Sequence, residues 1–264
     1  MKGRGRLDLS AIIGLGAGVA LLLAAQVAGG GTLGALWQPS AALIVFGGTA
    51  VAVFVSYPMA VLRRTVTTLG QAMTARQMPA EPLLDRFFYY ADLARRKGLL
   101  SLEDETSAAP DPFLRTALGL VVDGTNPKIC RQILEIESNS LRDAAEQPAE
   151  VLETAAGFAP TLGILGAVLG LIHVMDNLTE PSRLGAGIAV AFVATVYGVA
   201  IANMLLLPLA TKLRGLAHSA ATSRDVVIEG AVALQEGLNP RLVDQKLRGF
   251  VAPGTIRKPR RSIA

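Results

Sequence analysis

A single cysteine, Cys130, is all the thiol this 264-residue chain has. That excludes an intrachain disulfide and any metal site built from clustered cysteines, and leaves Cys130 a packing role. Charge is missing from three long intervals: no Lys, Arg, Asp or Glu occurs in residues 9 to 62, 154 to 175 or 184 to 211. A charged side chain at mid-bilayer usually marks an ion path, so an ion carrier that relies on a carboxylate would need a second polypeptide to supply it. What is present instead is apolar surface. Hydrophobic residues make up 51% of the chain and mean hydropathy is +0.44, too apolar for an ordinary water-soluble domain. A helix needs about 20 apolar residues to cross a hydrocarbon core. The first interval is long enough for two such helices and the others for one each. The expected fold class is all-α: a polytopic membrane protein with four transmembrane helices and a helical cytoplasmic domain between helices 2 and 3.

Within the first interval, GGGTLGALWQPS at residues 29 to 40 suits a tight turn at the membrane surface, with Trp37 at the interface. Spans 1 and 2 then cover about 10 to 28 and 40 to 58. A secretory signal is the rival reading, since MKGRGR is basic and LLLAAQVAGG offers small residues for cleavage. Against it, a second apolar span follows at once and would have to insert alone. The basic residues set the orientation: three lie in the N-terminal tail, eleven between spans 2 and 3, ten after span 4, and only Arg183 on the other side. The positive-inside rule puts both termini and the middle segment in the cytoplasm. The organisation is a cytoplasmic tail (1–9), spans 1 and 2 with a short periplasmic loop (10–58), a cytoplasmic helical domain (59–150), spans 3 and 4 with a second short loop (151–211), and a cytoplasmic C-terminal tail (212–264). The net charge of +4 sits beside span ends and in the terminal RKPRRSIA. That placement suits anionic lipid headgroups and not nucleic acid.

The cytoplasmic segment reads as helices. Val61, Leu62, Val66, Leu69 and Met73 recur at helical spacing, as if span 2 ran on past the membrane. Pro79 and Pro82 interrupt, and Pro82 suits the first turn of a helix bearing Leu83, Leu84, Phe87, Phe88, Ala91 and Ala94, which Gly98 stops. Ser101 is placed to cap a helix opening on Glu103, Asp104 and Glu105. Asp111-Pro112 and Asn126-Pro127 repeat a cap-then-proline signature. The aromatic run Phe87 to Tyr90 reads as the core of this small bundle. From Asn126 the pattern runs into span 3 as one long helix, or two nearly continuous ones divided at Pro148.

Spans 3 and 4 carry small-residue faces: Gly163, Gly166 or Ala167, and Gly170 on span 3, and Gly187, Ala191, Thr195, Gly198 and Ala202 on span 4. Such faces let helix backbones approach closely, within a chain or an oligomer. Pro160 and Pro208, near the cytoplasmic ends of the two spans, suggest a hinge or polar spot at matching depth. Thr195 has a hydroxyl for a passing ion or water, or for its own helix. His173, near the outer end of span 3, is a lone histidine with either a structural or a titrating role.

Four stretches together resemble the MotA/PomA family of flagellar stator subunits, within the wider group that includes ExbB and TolQ. They are GGTLGALWQPSAALIVFGGT around spans 1 and 2, ARRKGLLSLEDE in the cytoplasm, FAPTLGILGAVLGLIHVM in span 3 and GAGIAVAFVATVYGVAIANMLLLPLATKL in span 4. The resemblance implies a homo-oligomeric, pentameric ring around a MotB- or PomB-type partner that carries the ion-binding aspartate and a peptidoglycan anchor. It further implies that ion flow turns the ring against the rotor switch protein FliG.

Residue by residue, the resemblance implies a rotor contact at Arg95 and Glu103 and an ion pathway at Pro160, Ala167, Thr195 and Pro208. Helix packing falls to Gly163, Gly166, Gly170, Gly187, Ala191 and Gly198. Where sodium-driven members place a threonine seven residues after the span 3 proline, this chain has Ala167. A dehydrated sodium ion needs several oxygens, so the loss of one favours H+ over Na+ as the transported ion. Thr195 is retained, and a sodium-driven PomA-type stator stays one alternative. An ExbB- or TolQ-like ring energising an envelope process is another, although those proteins have three spans. A passive scaffold is the plainest rival. No cofactor and no enzymatic activity are expected: GLGAG at residues 14 to 18 lies in an apolar span without the strand or the acidic residue a dinucleotide loop needs.

Overall fold

A computed structural model of the chain describes residues 9–72, 80–176 and 181–250. The basic N-terminal tail, Met73, Pro79, the loop residues 177–180, the side chain of Arg183 and the terminal RKPRRSIA lie outside the described residues. Among the described residues the protein is all-helical, without a strand. It forms two compact units, Met1–Arg76 with Glu146–Gly215 and Gln77–Ala145 with Leu216–Ala264.

The first unit opens with helix α1, Leu9–Ala28. Gly30 adopts a positive φ of 78°, a conformation that costs glycine nothing, and turns the chain into a short 3-10 helix, Leu33–Leu36. Helix α2 covers 39–56, with Pro39 in its first turn and a π-helical turn at Leu43–Gly47. It does not run on as the periodicity suggests. Pro58 disfavours helical geometry at the residue before it, Tyr57 is extended (φ −131°, ψ 143°), and α3, Met59–Ala72, starts afresh. Helix α7, Pro127–Asp176, passes through both Pro148 and Pro160 without a break, so Pro148 does not divide it. Helix α8 occupies 181–235 with a second π-helical turn at Ile201–Leu206. Both α7 and α8 supply residues to each unit. The helical stretches Leu33–Ser56, Pro127–Asp176 and Leu184–Gln235 are long and apolar enough to cross a membrane, while the described apolar part of α1, Ile13–Ala28, is shorter.

The second unit has its own core. Helix α4, Glu81–Lys97, starts with Pro82 and ends at Gly98, whose φ of +84° suits only glycine. Of the aromatic run, Phe87 and Tyr90 are buried and meet edge to face, whereas Tyr89 is half exposed. Ser101 does not cap the next helix. Leu102 is drawn wholly into the core, residues 99–102 tighten into a 3-10 turn, and the Ser101 hydroxyl donates to the Gly98 carbonyl at 2.6 Å. Helix α5 therefore runs Glu103–Ala108 with three acids in its first turn. Asp111 caps α6, Pro112–Val122, by accepting from the Leu114 N–H at 3.1 Å.

The stretch after 212, a tail by sequence, supplies a large share of this core. Val226, Val227, Ala231 and Leu234 of α8 are buried with Val243 and Leu247 of α9, Pro240–Arg248, against Phe87, Leu114, Leu118 and Leu134. Asn239 caps α9 through the Leu242 N–H. Glu229 ties three helices: it accepts from the Arg131 guanidinium at 2.5 Å and lies 2.9 Å from the Lys246 ammonium. The hydrogen bond from Arg131, aided by Lys246 and opposed by burial, holds the Glu229 carboxyl below its usual pKa.

A depressed folded-state pKa contributes stability above the unfolded value, and that contribution is lost as pH falls through the folded value. Glu229→Gln should therefore cost about 1–2 kcal/mol at neutral pH, discounted for the partly open Arg131 and Lys246. The deficit should vanish in acid, as thermal unfolding followed from pH 7 downward would register.

Candidate functional site

The packing candidates meet along one seam between α7 and α8. A methyl group added at Gly163 would lie 2.8 Å from the Ala194 carbonyl oxygen. One at Gly170 would lie 2.8 Å from the Ala191 nitrogen and 2.9 Å from the Gly187 carbonyl oxygen. At Gly198 it would come within 2.5 Å of the Ala159 carbonyl oxygen and 3.1 Å of the Pro160 Cα. Gly166 faces the Ala194 methyl, and Gly187 faces Val174. Only hydrogen fits at these points, which places Cα–H groups against carbonyls of the facing helix. Outward of the seam both helices present large apolar side chains, among them Leu165, Leu169 and Ile172 on α7 and Phe192, Val196 and Val199 on α8. A continuous apolar face of this kind belongs against lipid or protein.

The ion-pathway candidates are placed unequally. Pro160 lies on the seam against Gly198, the Thr195 backbone packs on Gly163 about one turn away, and Ala167 lies a further turn along α7. The Thr195 hydroxyl bonds back to the Ala191 carbonyl at 3.3 Å, the second of the two roles its sequence position allows. Pro208 is not at the depth of Pro160. Gly198 already faces Pro160, so Pro208 lies ten residues, about 15 Å, further along α8. Its ring would collide with the carbonyl four residues back, and the widened turn at Ile201–Leu206 just before it relieves that conflict. Asn203 points outward and donates to the Val199 carbonyl at 2.9 Å. His173 stands in the last turn of α7. No cluster of metal-ligating side chains exists among the described residues.

Arg95 and Glu103 lie on either side of Gly98 in the second unit, both exposed, and neither makes an ion pair among the described residues. Between them Leu102 anchors the turn. Nearby, the Tyr89 hydroxyl donates to Glu105 at 3.2 Å, and this carboxylate raises the phenol pKa above its usual value. The loop thus offers a free cation and a free anion on a rigid support.

Sequence reasoning gave no role to Tyr197, whose hydroxyl donates to the Leu36 carbonyl and accepts from the Gln38 N–H at 3.4 Å, fastening the turn before α2 to α8. It stacks on Phe46 as well. A tyrosine in an otherwise charge-free stretch was the signal available.

Two family descriptions match this chain: Motility protein A N-terminal over residues 12–98, and the MotA/TolQ/ExbB proton channel family over residues 105–225. Motility protein A of Borreliella burgdorferi is 31% identical over 247 residues, covering 94% of this chain and 95% of that protein. The structure of C. jejuni MotAB aligns with a TM-score of 0.88 at 28% identity over 96% of this chain and 100% of that one. The flagellar MotAB stator complex from Bacillus subtilis aligns at 0.85 with 34% identity, over 93% and 96%. An all-helical protein with long apolar helices locked on a glycine seam is thereby placed in the MotA/TolQ/ExbB class. Within that class, the chain belongs to the Motility protein A family.

The seam makes a direct prediction. Gly198→Ala forces a methyl onto the Ala159 carbonyl and should destabilise the protein by about 1–3 kcal/mol. Gly157→Ala, where nothing lies within 4 Å, should be neutral or slightly stabilising. Melting temperatures of the two purified variants, compared with wild type, decide it.

Proposed function

We propose that this chain is the ring-forming stator subunit of a flagellar motor, in which ion flow is converted into rotation. The observation that carries the proposal is the absence of charge from residues 154–175 and 184–211, in a chain that aligns along nearly its whole length with MotAB structures. The titratable carboxylate then belongs to a MotB-type partner, and this chain contributes an uncharged helical cage. Four membrane crossings, both termini in the cytoplasm and a pentameric ring are the arrangement we infer, supported by the distribution of Lys and Arg and by the exposed Trp37 beside the turn into α2, 79% accessible and suited to a membrane interface.

Charge steers and registers a charged partner even where it contributes little to stability. Arg95 and Glu103, exposed and without an ion pair among the described residues, are the residues assigned to the rotor protein FliG. The basic residues of the C-terminal segment suit anionic lipid. Proton coupling is preferred to sodium, because Ala167 supplies no hydroxyl and a dehydrated sodium ion needs several oxygens, although Thr195 is retained.

Two experiments test this reading. Expressed with its partner in cells lacking their own stator, the chain should sustain swimming in sodium-free medium and lose it on addition of a protonophore; a sodium requirement would overturn the proton assignment. Glu103→Lys should reduce the torque of tethered cells while the complex still assembles in the membrane. Wild-type torque in that variant would remove Glu103 from the rotor contact.

A further inference from the structure

Thr49 follows directly on the π-helical turn Leu43–Gly47 of α2. It is 8% exposed, and its hydroxyl oxygen, wholly covered, has no hydrogen-bond partner among the described residues. Several other helical hydroxyls of the first unit bond back to the carbonyl four residues earlier, among them Ser56 to Ala52 at 2.7 Å, Thr65 to Val61 at 2.9 Å and Thr211 to Leu207 at 3.0 Å. Thr49 does not. The Gly48 N–H donates to the Ile44 and Val45 carbonyls, and Val45 is the residue a Thr49 hydroxyl bonding back would use.

Contacts on either side fix the level at which Thr49 lies. Along α7, Ile44 packs on Gly166, Gly48 on Leu162, and the Tyr57 hydroxyl meets the Thr154 hydroxyl at 2.7 Å. This antiparallel register sets Thr49 opposite residue 161, one past Pro160. Along α8, Ala41 and Val45 pack on Val193 and Ala194, and Thr49 continues that row toward Gly198. Gly198 in turn touches Ala159 and Pro160. Pro160 has no N–H, so the carbonyl of buried Ala156, four residues back, loses its helical donor. Within about one turn of each other, three helices therefore enclose a hydroxyl with no partner among the described residues and a carbonyl deprived of its usual donor.

We propose that Thr49 and the Ala156 carbonyl hold an internal water at the Pro160 level. Buried waters bind where otherwise unsatisfied polar groups converge, and in a hydrocarbon layer no bulk solvent can do the same. The water gives an uncharged helix cluster a polar station beside the Pro160–Gly198 crossing. Its role in ion flow rests on the stator reading, whereas the water site rests on packing alone.

The test uses the full chain co-purified with its partner subunit, as Thr49→Val and Thr49→Ser. Valine keeps the shape and removes the hydroxyl; serine keeps the hydroxyl. Thr49→Val should melt about 2–4 °C below wild type and slow swimming in cells with equal membrane levels, and Thr49→Ser should restore both. A Thr49→Val complex that melts at or above wild type overturns the proposal, because the hydroxyl is then only an uncompensated burial cost. A melting loss with unchanged swimming places the water outside ion flow and overturns the polar-station role. Should the wild-type chain itself fail to restore swimming, the stator reading falls while the melting comparison still decides the water site.

Discussion

The backbone contact between α7 and α8 at Gly163, Gly170 and Gly198 is the constraint on which the first unit depends. Lipid tails are as apolar as leucine, so association of helices in a bilayer draws little from the hydrophobic effect and must come from close packing. Glycine at these positions brings carbonyls of one helix onto Cα atoms of the other. Without that approach, Pro160 would not lie against Gly198, and the large apolar side chains would not be turned outward together.

A different logic governs the second unit. Its core is assembled from segments far apart in sequence: α4 and α6, the first part of α7, the last part of α8, and α9. Gly230 lets the Phe87 ring lie against the α8 backbone, where a methyl would come within 2.5 Å of the ring. Around this core Glu229 joins Arg131 and Lys246, and Arg142 lies 4.0 Å from Asp225. Exposed ion pairs add little to stability, and the half-buried Glu229 is the one with the most to lose.

Much of this was legible before any coordinates. The apolar intervals, the cap-then-proline starts of α6 and α7, the stop at Gly98 and the helical character of residues 80–122 all follow from local chemistry. The errors have local causes as well. Pro58 ended α2 where apolar periodicity alone suggested continuation, and burial of Leu102 outweighed the capping preference of Ser101. The C-terminal helices were missed because charged residues such as Arg214, Arg224 and Lys246 interrupt the stretch, and its apolar row acquires meaning only opposite Phe87 and Leu118. Pro160 and Pro208 were matched by distance from span ends, a measure that ignores how two helices slide along each other.

By itself the sequence determined that the chain is helical, that long parts of it carry no charge and suit a membrane, and which residues are small enough for helices to meet. Those properties belong to single residues and to their spacing along one helix. Tertiary structure decided which glycine faces which carbonyl, that Gly198 and not Pro208 stands beside Pro160, and that the Thr49 hydroxyl has no partner among the described residues. The physical reason is that helical spacing fixes the direction of a side chain about its own axis, while register between helices and the path of the hydrogen-bond ladder emerge only when the helices pack.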